Sequence, residues 1–299
     1  MQANLPPRSV AVHIGAHKTA TTHLQRTLQA QQNALIDAGV RFYGPESLRR
    51  PERGLGDIFG LDIYDAPPKP TRGVAEQMDF MFKDGHRLVF SDENFVGVLH
   101  DQNGQISQPL YPRSVQRIAA LADALSDAGP LSLFVGLRNP AAFLTSSYCQ
   151  ALTGGRHLSF ADYLVMNPLD KIYWPGWIAR LRTVTGVGHI HVWTQESYRW
   201  RFYDICDAML GPDVDIRIKP IAERVYAGLS GDAVDHIMTH APDADIRKIS
   251  EQARATFPVG DDHRAFAPFD QDQIAAAQVE YDAQLDTIET IADVTVQRA

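Results

Sequence analysis

The sequence predicts an α/β fold: a mostly parallel central sheet, flanked by helices, in three layers. Two observations carry this. Short apolar runs rich in β-branched and aromatic residues recur at 9–15 (SVAVHIG), 40–44 (VRFYG), 86–91 (HRLVFS), 131–137 (LSLFVGL) and 189–194 (HIHVWT). Helix-like segments lie between them, and near-continuous apolar strands alternating with amphipathic helices mark a parallel sheet covered on both faces. The 299 residues, 44% hydrophobic and 21% charged, suffice for one large domain spanning 1–299.

Before the first run, MQANLPP carries two prolines and no apolar stretch of signal-peptide length. With only Cys149 and Cys206 in the chain, no disulfide framework or cysteine-based metal knuckle is expected. No stretch reaches the apolar length of a membrane span. These observations together predict a cytoplasmic protein with no membrane span. A formal charge of −8 argues against a broad nucleic-acid surface, so any anion site must be local.

The first run leads into HIGAHKTATTHLQ, His13 to Gln25. Glycine, lysine and threonines between a strand and a helix point backbone N–H groups, a cation and hydroxyls at one spot, which suits phosphate or sulfate. Residues 21–37 form the first helix, with a threonine near its N-cap and Gly39 just past its end. Residues 44–70, rich in Pro, Gly and Arg, and the polar 101–111 read as long surface loops suited to substrate recognition. Residues 112–127 make a helix with Pro112 in the first turn and Ile118, Leu121, Ala122 and Leu125 on one face. The run at 131–137 ends in Arg138, followed by Asn139 as helix cap and Pro140 in the first turn. Arginine at a strand end can grip a phosphate through paired donors. The tail at 269–292 is a final long helix.

A nucleotide triphosphate loop, G-x-x-x-x-G-K-[ST], is the obvious rival. Its two glycine positions are occupied here by Val12 and His17. The segment instead resembles the 5′-phosphosulfate loop of sulfotransferases that use 3′-phosphoadenosine 5′-phosphosulfate (PAPS), in its bacterial form H-I-G-x-x-K-T-G-T-T-x-L-Q. Ala20 stands where that pattern has glycine. The resemblance implies a P-loop nucleoside-triphosphatase-like fold. It also implies a donor loop of Gly15, His17, Lys18, Thr19, Ala20, Thr21 and Thr22, with Lys18 on the donor's bridging oxygen and the three threonines on its 5′-phosphate. Arg138 and Ser146, eight residues apart, match the family's 3′-phosphate pair.

After the strand at 86–91 come Asp92 and Glu93. Under the resemblance Glu93 is the acceptor base. Under a nucleoside-triphosphatase reading these would be a magnesium-binding acid and a water-positioning acid. His13, His17 and His100 compete as bases, His17 foremost. Glu196 reads as structural, Arg224 and Ser230 as weaker donor-site candidates, and Trp174 and Trp177 as either pocket lining or core. No H-E-x-x-H or G-x-S-x-G pattern is present, and the scheme requires no metal. The expectation is a sulfotransferase that converts PAPS to 3′-phosphoadenosine 5′-phosphate (PAP). Its acceptor would be a small molecule, glycan or lipid, with a carbohydrate favoured. A P-loop-type kinase and a noncatalytic nucleotide-binding module remain open alternatives.

Overall fold

A computed structural model describes residues 6–63, 70–222 and 228–298. The strands are β1 (Ser9–His13), β2 (Val40–Tyr43), β3 (Arg87–Ser91), β4 (Leu131–Leu137), β5 (Val187–Thr194) and β6 (Val294–Gln297). They form one six-stranded sheet, ordered β2-β3-β1-β4-β5-β6, in which every pairing is parallel. Parallel neighbours need crossovers, and helices supply them.

Side chains alternate across β1, and the core follows that alternation. Ala11 joins Val89, Phe134 and Trp193 on one face. There α1 (Thr21–Ala30) and α2 (Gln32–Asp37) pack through Leu24, Leu28 and Leu35. Val10 and Val12 face the other side with Leu88, Phe90, Leu133 and Val135. Along the chain, one-turn helices α3 (Pro45–Leu48) and α4 (Leu55–Ile58) precede α5 (Val74–Phe82). Next come α6 (Ser114–Ala124), α7 (Pro140–Thr153), α8 (Phe160–Met166) and α9 (Trp174–Arg182). After β5 follow α10 (Tyr198–Leu210), α11 (Gly231–Met238), α12 (Ile246–Thr256) and α13 (Gln271–Glu289). Of these, α10 covers the first face, and α5, α6, α7, α9 and α13 supply buried side chains to the second. The result is the expected three-layer α/β fold.

Several local expectations change. The helix foreseen at 21–37 breaks at Gln31, whose amide exchanges hydrogen bonds with the main chain of Lys219 (2.8 and 3.0 Å); this long-range pairing overrides helix propensity. Gly39 does follow α2, at φ 76°. The helix expected from Pro112 runs from Ser114 to Ala124, after a turn in which Tyr111 takes φ 50°. The 101–111 segment is not simply a surface loop, since Ile106, Leu110 and Tyr111 are buried. The 44–70 segment contains α3 and α4. The C-terminal helix ends at Glu289, and β6 follows it. No helix among the described residues is long and apolar enough to cross a membrane.

Candidate active site

From β1 the chain enters α1 on one face, and from β4 it enters α7 on the other. This divergence makes the carboxyl ends of the two strands a topological switch point, the usual ligand position in such sheets. The turn after β1 is fastened to β4. Ile14 N and Gly15 N donate to Phe134 O (3.0 and 3.4 Å), and Ala16 N donates to Gly136 O (2.8 Å). Thr19 Oγ1 donates to Ala16 O at 2.6 Å. Gly136 makes this closure possible, since a Cβ there would lie 2.8 Å from Thr19 Oγ1 and 3.1 Å from Trp193 Nε1. The sequence reading passed over Gly136, although a glycine inside an apolar strand signals a close approach.

Three residues of the turn lie at positive φ: Gly15 (45°), Lys18 (68°) and Ala20 (61°). Left-handed backbone costs a non-glycine residue on the order of 1–2 kcal/mol, so two strained residues flank Thr19. Such strain concentrates at functional sites. No side chain caps α1, whose N-cap is Ala20. Thr21 is buried with its methyl against Gly15, and Thr22 is half-buried. Thr19 is buried and its hydroxyl braces the turn.

Arg138 Nη1 donates to the Lys18 carbonyl at 3.1 Å, so the two sequence motifs meet. Burial pushes the Lys18 ammonium below its ordinary value, and the charges of Arg138 and Arg254 push it further, against Cys149 and Glu93. Burial also lowers Arg138, opposed by Glu196. Arg254, in the last turn of α12, is a third cation in this field. No motif marked it in the sequence, since only the tertiary fold carries α12 to α7. The carboxylate in range of Lys18, Glu93, is paired with Arg49 instead. Asn139 caps α7 by accepting from Ala141 N at 3.0 Å, and its own N–H donates to Glu196 Oε1 at 3.0 Å. Ser146 is half-buried on α7.

The acid step after β3 sits beside the turn, with Asp92 N donating to His13 O at 3.0 Å. Asp92 Oδ1 accepts from Asn94 N (3.1 Å) and from Arg49 Nε and Nη2 (2.9 and 2.8 Å). Arg49 Nη2 also lies 2.8 Å from Glu93 Oε1, while Gln25 Nε2 donates to Glu93 Oε2 at 2.9 Å. Burial would raise Glu93, but the Arg49 charge and the hydrogen bonds from Arg49, Gln25 and its own amide bring it down to about 2. Burial dominates at Asp92 and raises it. Adjacent carboxyls are thus driven in opposite directions, a pattern that separates acid–base roles.

Burial lowers each of the three candidate histidines. Burial brings His13 to about 4, with Nδ1 2.7 Å from Ser91 Oγ. Burial lowers His17 too. The Tyr111 hydroxyl lies 3.0 Å from both the backbone N and Nδ1 of His17, and Asn94 Oδ1 lies 3.0 Å from Nε2. His100 falls to about 4, chiefly by burial, with Nε2 2.9 Å from the Tyr163 hydroxyl. Trp174 and Trp177 are fully buried core, donating to Arg138 O and Ser114 Oγ. Ser230 caps α11 and donates to Phe257 O. Arg224 lies outside the described residues.

Outside the acid step lies a pocket of about 360 Å³, lined by Leu48, Arg49, Leu55, Asp92, Phe95 and Arg117 among others. A cleft of about 410 Å³ beside Asp37, Asp213 and Asp215 shares no residue with the motifs. No group of three or more His, Cys, Asp or Glu among the described residues converges to hold a metal.

No family model and no curated protein matches this chain. Its fold is similar to the crystal structure of a sulfotransferase from Alicyclobacillus acidocaldarius. The match has a TM-score of 0.45 and 18% identity, over 81% of this chain and 94% of that one.

Proposed function

We propose that the protein transfers a sulfonate group from PAPS to a hydroxyl or amine of an acceptor, releasing PAP. The observation that carries this reading is the bond from Arg138 to the Lys18 carbonyl, which brings together the two segments expected to bind the anions of the donor. The residues suit such a donor. Two half-buried cations repel each other there with Arg254 nearby, and the N-terminus of α1 has no side-chain cap. An anion bearing charge at both ends of an adenosine would relieve both conditions.

In this mechanism the acceptor oxygen or nitrogen forms a bond to sulfur while the bond from sulfur to the phosphate oxygen breaks. The leaving oxygen keeps the electron pair. Lys18, with the N–H groups of Thr19 to Thr22, stabilises that growing charge, and a preorganised donor of this kind contributes roughly 3–4 kcal/mol. Arg138 and Ser146 hold the 3′-phosphate. The N–H of His17 is already taken by Tyr111, so His17 shapes the turn. Glu93 receives the acceptor proton once its pairing with Arg49 loosens, and a base so released contributes about 10²–10⁴ in rate. Catalysis by these groups needs no metal. The acceptor enters through the pocket beside residues 48–57. Its mixture of carboxylate, guanidinium and apolar lining favours a carbohydrate over a small phenol or lipid, encountered in the cytoplasm.

Calorimetry with PAP, AMP and magnesium–ATP tests the reading first. PAP should bind much more tightly than AMP; binding of magnesium–ATP without PAP would replace the proposal with a kinase. Labelled PAPS with an acceptor panel then separates transfer from mere nucleotide binding.

A further inference from the structure

Arg49 is the seam between the acid step and the neighbouring pocket. It lies next to α3, in the segment that walls the pocket, and its side chain keeps about a third of its surface exposed. Its guanidinium grips Asp92 Oδ1 through two nitrogens and shares Nη2 with Glu93 Oε1. Arg49 is therefore both a pocket wall and the counter-charge of the proposed base. In this arrangement Glu93 is a poor proton acceptor, because the neighbouring cation and the Gln25 amide favour its ionised form. Proton transfer requires that hold to loosen.

We propose that Arg49 is a positioning residue that couples acceptor binding to proton transfer. An acceptor bearing an acidic group near its reacting hydroxyl engages the guanidinium in the pocket and frees Glu93 Oε1 to take the hydroxyl proton. This rests on the sulfuryl-transfer reading and deepens it by naming the acceptor class as acidic, for example a uronic acid. The physical reason is charge balance. Parting Arg49 from the buried Glu93 carboxylate leaves both charges uncompensated, so Arg49 releases Glu93 only where another anion replaces it. Asp92 keeps its two contacts and acts as the pivot. The proton passes from the acceptor O–H to Glu93, the acceptor oxygen bonds to sulfur, and the phosphate departs with the electron pair. Without an acidic acceptor Glu93 stays a weak base, and water is not activated against the donor.

The other groups that face Glu93 are Asp92, His13 of β1, His17 and Lys18 of the turn, Gln25 of α1, and Tyr111. Arg117 of α6 donates to the nearby carbonyls of Asn94 and Phe95. Arg49 is the cation that both lines the pocket and lies 2.8 Å from Glu93 Oε1.

The test is a ¹³C NMR titration of the glutamate carboxyls of the whole protein, assigned with Glu93→Gln. In the wild type Glu93 should remain ionised to the acid limit of the fold. In Arg49→Gln its midpoint should rise by at least two pH units, and in Arg49→Lys by less. An unchanged midpoint in both variants overturns the clamp, and Arg49→Lys preserves the test if Arg49→Gln fails to fold. The second arm adds sodium glucuronate or glucose to the wild-type protein with PAP. Glucuronate should move the Glu93 resonance toward its position in Arg49→Gln and glucose should not. No movement, or equal movement with both sugars, overturns the acidic acceptor. Neither arm uses PAPS. PAP binding with a Glu93 that glucuronate does not move would sink the acidic acceptor alone, whereas absent PAP binding would sink the parent function.

Discussion

The guanidinium of Arg138 donates to the main-chain carbonyl of Lys18 at 3.1 Å, across 120 residues of sequence. The ends of β1 and β4 therefore behave as one unit. Each side chain has a separable expected role.

Lys18→Ala should reduce sulfuryl transfer by about 10²–10³-fold, the scale for losing one preorganised donor. Stability should change little or rise, because the substitution removes a half-buried cation that desolvation and its cationic neighbours disfavour. Turnover within a few-fold of wild type, measured with labelled PAPS, would remove Lys18 from the mechanism.

Arg138→Ala should weaken PAP far more than AMP, by roughly 10–100-fold for a charge-assisted contact. Calorimetry with both nucleotides decides it, and an equal loss for the two would assign Arg138 to bracing the turn alone.

Ala20→Gly should stabilise the fold. Relief of the left-handed strain at φ 61° is worth about 1–2 kcal/mol, and the more flexible unfolded chain takes back about 0.4–1 kcal/mol. A net gain of roughly 0.5–1 kcal/mol should appear as a higher urea midpoint at unchanged slope. A lower midpoint would contradict the φ assigned to Ala20.

Acid should destabilise the protein in two steps. His13, His100 and His191 are each lowered from 6.5 to about 4, chiefly by burial. Between pH 6.5 and 4 the unfolded chain therefore binds more protons than the fold, and stability falls as pH drops. Glu93 acts below that window. Its stabilisation is present above 4.5, its ordinary value, and is lost as pH falls toward about 2. Urea midpoints at pH 7 and pH 5 should differ, and His13→Gln should narrow the difference. Equal midpoints would show that these rings are protonated in the fold.

The sheet was legible because apolar runs at 9–15, 86–91 and 131–137 need no tertiary information to read as buried strands. The meeting of Lys18 with Arg138 was legible only in part. Spacing placed both at strand ends, but nothing local shows that Gly136 lets the turn close or that α12 brings Arg254 alongside. Glu93 could be singled out as an acid after a strand. Its hold by Arg49 and Gln25 could not, because those partners come from two other elements. The break at Gln31 was missed for the same reason, since a contact distant in sequence decided it. β6 was missed because VTVQ is too short for its alternation to stand out from the helix before it.

β1 is laced on one side to β3 and on the other to β4, so the turn that follows cannot slide without tearing two ladders. It is a stiff anvil. Under the proposed sulfuryl transfer, exchange of spent donor for fresh would come from movement of the segments around it, and turnover should respond to solvent viscosity more than to substitutions that merely soften the turn.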